Sequence, residues 1–472
     1  MTQLQKILGP AQFFSVGFGS IVGVGWIVLM GSWLSQAGPM GTAVAFLLGG
    51  VLLTSVGVCY AEIMTMNPVA GGEAAFAYDV FGSRLAFIVG WIMVLFCIVV
   101  VPYISISLAW LLDLLVPGFA GPVLYRWGGA PVYAGSLAIS LVWTIWLAFV
   151  NYRGVRSAAK FQDLLTYGKL AISVVFFGAG LLVGKVENLE PMFSAPAGSS
   201  ILGGAIAVLA VTPWFFGGFN FIPQVMEEKS PGTPVSLVGR LVVLSILVGA
   251  AYYALAAIVT GFAVPWQEVA GKEMAPAAAL RLAYGHEFFS RLVLIAGICG
   301  IITVGNGASI AATRVLFALS RARLISPPFD RLHPKYGSPV VAIGFVISFA
   351  LVATLLGRNG IVPIVNVGST CSAFAYLITC LAVLRLRQRE PDRPRPYRVP
   401  AGALVATLGA VASALLLASS LYAQLEGAEG GFPLEWAVML VWGGFGLGLW
   451  WWGRAGREAT SEVERRKVML AS

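Results

Sequence analysis

Stretches of about twenty apolar residues, separated by short polar segments, dominate this chain and restrict its fold more than any other feature. A helix needs roughly 20 such residues to cross a bilayer. Runs of that kind lie near 12–35, 42–67, 84–113, 132–151, 161–184, 203–226, 237–264, 291–320, 339–356, 361–384, 402–423 and 434–453. Only 11% of the residues are charged and the mean hydropathy is +0.86. Soluble domains carry about 25% charged residues, so a water-soluble fold would need an almost uncharged surface. The expected class is an all-α polytopic membrane protein with twelve transmembrane helices.

The cations test that topology. With a cytoplasmic N-terminus, 23 of the 30 Lys and Arg fall on the cytoplasmic side. Arg126, Lys185, Lys272, Arg281, Arg291 and Arg358 fall outside, and Lys169 lies within the fifth span. This asymmetry follows the positive-inside bias and puts both termini in the cytoplasm. The opening MTQLQKILGPAQFF reads as a short cytoplasmic tail rather than a cleaved signal.

The densest basic stretch is RLRQREPDRPRPYRVP, residues 385–400. A nucleic-acid patch is one reading of it. A proline-stiffened cytoplasmic loop lying beside anionic lipid heads is the simpler one. The net charge of +9 then describes topology, membrane lipids are the expected neighbours, and no nucleic-acid partner is expected. Cys59, Cys97, Cys299, Cys371 and Cys380 sit in apolar runs without a CxxC pair, so neither a disulfide nor a metal site is expected.

Two glycine-rich interruptions break the apolar pattern. GFGSIVGVGWIV begins at Gly17; Gly19 and Gly23 form a GxxxG helix-packing pattern, but Gly23-Val24-Gly25 can also let a helix come apart. Non-helical backbone at membrane depth is tolerated only where it is buried or lines a cavity. The sixth run holds a second interruption, TPWFFGGFNFIPQVMEEK, with Pro213, Gly217, Gly218 and Pro223. Paired broken helices in the first and sixth spans point to the binding site of a secondary transporter built from two five-helix halves.

Five stretches resemble the amino acid–polyamine–organocation superfamily of permeases. They are GFGSIVGVGWIV at 17–28, AEIMTMNPVAGGEAAFAYDVFG at 61–82, FFGGFNFIPQVMEE at 215–228, ATRVLFALSRARLISPPFDRLHPKYGSPVVAI at 312–343, and RPYRVP at 395–400. The resemblance implies a LeuT-like fold. One inverted repeat would occupy residues 1–200 with spans one to five. The second would occupy 201–400 with spans six to ten and the basic loop, and residues 401–472 would hold two further helices and a cytoplasmic tail.

The resemblance also implies that a substrate α-carboxylate sits on the broken first helix, with the α-amino group facing carbonyls of the first and sixth. The residues concerned are Ser20, Val22, Gly23, Val24, Gly25, Phe215, Phe216, Gly217 and Gly218. Trp214, Phe215 and Phe216 would shape or gate the side-chain pocket. Trp26 stands where relatives more often carry an aliphatic residue, Asn220 is a candidate helix-to-helix hydrogen-bonder, and Glu62 and Glu73 are candidates for gate or loop contacts. The loop holding Glu73 is expected to form a short re-entrant or amphipathic piece.

Many relatives carry an acid where Gly217 stands, and the central third of every run lacks Asp and Glu. A cationic substrate would lack its counter-charge in low dielectric. Small neutral amino acids are therefore expected over polyamines, arginine or lysine.

In proton-coupled relatives a fifth-helix lysine takes the place of a sodium ion, which is the role implied for Lys169; snorkelling to the interface is the plainer alternative. Lys160 lies at the membrane boundary. In the eighth run Ala311 and Ala312 fall where sodium-coupled relatives have hydroxyls, with Ser309 and Thr313 nearby. Asp330 and His333 read as a solvated ion pair.

Only two histidines are present, His286 and His333, and no catalytic motif lies within the apolar runs, so an enzyme is not expected and no cofactor is called for. The expected function is proton-coupled import of amino acids by alternating access, with exchange as the alternative. Compact loops suggest the bacterial plasma membrane. With every cysteine in a span, no disulfide-linked partner is expected.

Overall fold

Backbone amides and carbonyls in hydrocarbon must be bonded within their own segment, so long apolar runs become helices. The computed structural model describes residues 4–116, 118–195, 200–428 and 431–470, without the side chains of 155–157 and 426–427. The first part of the chain forms α1 (Pro10–Ile21), α2 (Gly25–Val28), α3 (Met30–Met66), α4 (Glu73–Phe81) and α5 (Ser83–Leu115). A hairpin of β1 (Val123–Trp127) and β2 (Ala130–Tyr133) leads to α6 (Ala134–Tyr152) and α7 (Val155–Val183). Then come α8 (Ile201–Phe216), α9 (Phe221–Gln224), α10 (Val235–Ala263), α11 (Ala275–Tyr284), α12 (Phe288–Arg321), α13 (Val340–Thr354) and α14 (Ile361–Arg389). The chain closes with α15 (Ala403–Gly427), α16 (Leu434–Trp452), α17 (Arg454–Ala459) and α18 (Glu462–Leu470).

Among the described residues, ten helical segments are long and apolar enough to cross a membrane, and α13 is a shorter apolar helix. The first two predicted runs are joined without a loop. Gly38, at φ +72°, reverses the chain before Pro39 inside α3. A Cβ at Gly38 would lie 2.9 Å from the Met192 carbonyl, so the bend requires glycine twice over. The β-hairpin was not anticipated. Its Gly128-Gly129 turn has positive φ at both positions, which suits the twist of paired strands.

The helices sort by exposure. α3 lies along α10, α5 along α12 and α14, and these are mostly buried. On α15, Leu404, Leu408, Val411 and Leu415 are exposed and recur every three or four residues, giving a continuous apolar stripe. Such a stripe fits contact with lipid.

One end of the bundle is a layer of ion pairs. Arg387 donates to Glu62 at 3.0 and 2.5 Å, and Arg395 adds a bond at 3.2 Å. Arg393 and Arg466 meet Asp79 at 2.7 and 2.8 Å, Arg321 meets Glu227 at 2.6 Å, and Arg314 meets Glu228 at 2.6 Å. The basic stretch at 385–400 is thus corrected. Its first part is helical, and Arg387, Arg393 and Arg395 turn inward to buried acids instead of outward to lipid heads. Asp330 is also corrected, since its partner is Arg323 at 3.4 Å; His333 stacks on Tyr336 and sits 3.0 Å from the Tyr152 hydroxyl.

Breaking a buried pair from one side leaves a charge without its partner, which costs about 3–5 kcal/mol. Arg314 and Glu228 have side chains 3% and 0% exposed. Glu228→Ala is expected to destabilise the protein by about that much in thermal unfolding in detergent. Glu228→Gln combined with Arg314→Met is expected to recover much of the loss, and equal destabilisation by both variants would show that the pair's charge is unimportant.

Candidate functional site

α1 stops at Ile21 because the next residue leaves the helical region, Val22 standing at φ −86° and ψ +86°. Gly23 N donates to Ile21 O at 3.1 Å in a tight turn, and the helix restarts at Gly25. The first amides of a restarted helix have no carbonyl a turn behind them. α8 ends at Phe216 with Pro213 in its last turn, and residues 217–220 turn before α9.

The two breaks face each other. Gly218, at φ +144°, lies so close to the first break that a Cβ there would sit 2.7 Å from Ser20 C and Ile21 N. No other residue could bring the two backbones together in this way. α12 closes a third side, where a Cβ on Gly300 would lie 2.6 Å from the Gly23 carbonyl. Tyr253 of α10 donates to Ile21 O at 2.9 Å.

A pocket opens between the breaks, holding about 430 Å³ of space free of atoms, open solvent included. Ser20, Gly23, Val24, Gly25, Trp214, Phe215 and Gly217 line it, as expected. Ser20 Oγ is buried and has no hydrogen-bond partner in the protein. Gly25 is held glycine by Phe215, whose ring lies where a Cβ would project. Among the described residues no charged side chain lines the pocket, so the polar recognition available is backbone amides and carbonyls, the hydroxyls of Ser20, Tyr103 and Tyr253, and the Trp214 indole.

Six of the expected residues stand outside the pocket lining. Val22 uses its carbonyl for Lys169, and Phe216 packs against Tyr253 and Phe46. The Gly218 amide is taken by Asn220 Oδ1 at 3.0 Å, so Asn220 closes the second break locally, and its side chain also lies beside Glu73 of α4. Trp26 is wholly buried against Phe176 and Tyr252, outside the pocket lining. Glu62 belongs to the arginine layer.

Sequence reasoning missed Tyr253, Phe96, Tyr103 and Phe221, which complete the aromatic wall. An apolar or aromatic residue within an apolar run carries no mark of which face it occupies; the hydroxyls of Tyr103 and Tyr253, inside apolar runs, carried the usable signal.

Trp214 and Phe215 also line a second, larger space of about 1,040 Å³, open solvent included, between α3, α8, α14 and α15. Gly368 of α14 leaves the gap in which the Trp214 indole lies.

Lys169 is fully buried at the first break. Its ammonium donates to Gly19 O at 3.1 Å, to Val22 O, and to Thr303 Oγ1 at 3.2 Å. Thr303 donates in turn to Gly19 O at 2.7 Å. A buried lysine bound to the turn's own carbonyls excludes snorkelling here. The expected register on the eighth run is corrected by about two turns: Thr303 supplies the hydroxyl. Ser309 and Thr313 lie further along α12, where Thr313 bonds to the Ser309 carbonyl.

A neighbouring network, Asn306 to Gln162 at 3.0 Å and Gln162 to Ser15 O at 3.1 Å, ties α12 and α7 to α1.

The comparisons with known proteins agree with this geometry. Residues 8–445 match the amino acid permease family. The chain is 27% identical to the branched-chain amino acid permease BcaP of Bacillus subtilis, covering 84% of each chain. It is 26% identical to the glutamate/serine transporter AimA of the same organism, over 88% of this chain and 78% of the relative. It is 27% identical to the rabbit large neutral amino acids transporter small subunit 2, over 84% of this chain and 72% of the relative. Two helices broken face to face around a small uncharged pocket, in a bundle matched along most of its length, make this chain a member of the amino acid permease family.

Proposed function

We propose that this protein is a secondary active transporter that imports small neutral amino acids by alternating access, coupled to protons. The observation that carries this reading is the pocket itself: two helix breaks converge on it, and no charged side chain lines it. An amino acid zwitterion needs dipoles of both signs and no net counter-charge. Amides after the first break suit its carboxylate, and carbonyls at the end of α8 suit its ammonium. Ser20 Oγ supplies one further bond. Relatives named for branched-chain and large neutral amino acids support an uncharged side chain.

In this reading the helices form twelve spans, five-plus-five inverted repeats within 1–200 and 201–400, with two more spans in 401–472. The arginine-rich end is cytoplasmic, both termini lie on that side, and the membrane is the bacterial plasma membrane. Trp214 and Phe215 act as the partition between the pocket and the larger space beyond it.

Lys169 is the proton carrier. Its ammonium ties α7 to the first break and to α12, so its loss of a proton would free all three. An exchanger is the second reading, favoured by one observation: three acceptors already hold the ammonium, as they would a permanent structural cation. The deciding experiment is uptake of a panel of labelled amino acids into proteoliposomes in sodium-free buffer, with and without an inward proton gradient. Gradient-driven accumulation establishes symport; uptake only after preloading the lumen establishes exchange.

Two variants test the site. Gly25→Leu is expected to weaken binding by about five- to a hundredfold, since overpacking costs about 1–3 kcal/mol; affinity unchanged from wild type would remove the break from the binding site. Lys169→Ala is expected to abolish proton-driven accumulation while counterflow persists. Normal accumulation in that variant would sink the coupling role.

A further inference from the structure

Among the described residues, five acids are buried at the arginine-rich end: Glu62, Glu73, Asp79, Glu227 and Glu228. Four of them have arginine partners. Glu73, 1% exposed at the start of α4, has none. Its partners are neutral: Tyr60 of α3 donates to Oε1 at 2.9 Å, Gln224 of α9 donates to Oε2, and the Asn220 amide at the second break lies beside it.

The titratable groups facing it are Tyr60, Tyr376 of α14 and Cys97 of α5, and none is a cation. Asp79, on the same helix, is turned to Arg393 and Arg466. A carboxylate buried without a positive partner is expensive, and the group instead takes up a proton. Burial pushes the Glu73 carboxyl up to about 7, although its hydrogen bonds from Tyr60 and Gln224 pull it down.

The position of Glu73 gives that proton a consequence. Gln224 ends the short helical turn after the second break, and Gly72 lets its amide reach the α4 corner, where a Cβ would collide with it. Gln224 Oε1 is buried and has no hydrogen-bond partner. Turned over about its last torsion, the amide would accept the proton of a neutral Glu73.

We propose that Glu73 is a proton-binding site that latches the segment after the second helix break to the α3–α4 corner, neutral while the contact is closed and ionised once that segment withdraws and water enters. The latch rests on the alternating-access reading above. The proton leaves to solvent on the arginine-rich side, and the site takes no other ligand.

Infrared difference spectroscopy on the full chain in lipid vesicles tests the proposal without needing a substrate. Raising the pH from about 5 to about 9, across the range a buried carboxyl can occupy, is expected to remove a protonated-carboxyl band in the wild type. Glu73→Gln, which keeps the hydrogen-bonding shape, is expected to lack that change. A change that persists in Glu73→Gln, or is missing from the wild type, would overturn the proposal.

Tyr60→Phe keeps the carboxyl and serves if Glu73→Gln does not fold. It removes a bond that favours the ionised form, so the midpoint should move to higher pH, and an unmoved midpoint would also overturn the assignment. Absence of saturable uptake in the same vesicles would strike the transporter reading and leave the band as it was.

Discussion

Two stretches of backbone in this bundle are without a helix of their own, and they meet. Gly218 brings the end of the second break against Ser20 and Ile21 of the first, at a distance that no side chain allows. Unpaired amides and carbonyls inside an apolar bundle cost several kcal/mol each. The surrounding helices are therefore obliged to answer them. Tyr253 takes the Ile21 carbonyl, Lys169 takes those of Gly19 and Val22, and Thr303 shares the first of these.

Much of the bundle was legible because hydrophobic length is a strong signal. The helices agree with most of the apolar runs, and both breaks fall at the Gly-Val-Gly and Gly-Gly sequences that suggested them. The join at Gly38 and the β-hairpin were not legible at that level, since each is decided by local φ rather than by hydropathy. Within the site, backbone positions were easier to name than walls. Seven of the ten expected substrate-binding residues line the pocket, Val22, Phe216 and Gly218 do not, and three of the four aromatic additions came from helices that hydropathy treats as uniform. Helix rotation, which hydropathy in an all-apolar run does not encode, decided these cases.

Charge told a different story from the one its clustering suggested. The basic stretch that ends α14 and follows it reads as a loop at the membrane surface, but three of its arginines are spent on acids from α3 and α4. Sequence distance hid this pairing: Arg387 and Glu62 are separated by 325 residues. The layer joins the short corner between α3 and α4 to the far end of the chain, including Arg466 of α18. Positive charge here neutralises buried carboxylates.

The Trp214 indole belongs to two spaces at once, and Gly368 sets how far it can recede. A change that widens the small space by trimming this ring also thins the wall toward the large one. A methyl group at position 368 would press the ring the other way without touching the small space at all. Tolerance for bulkier guests and resistance to leakage are thereby tied to a single ring, and variation at position 368, which does not line the small space, would shift both together.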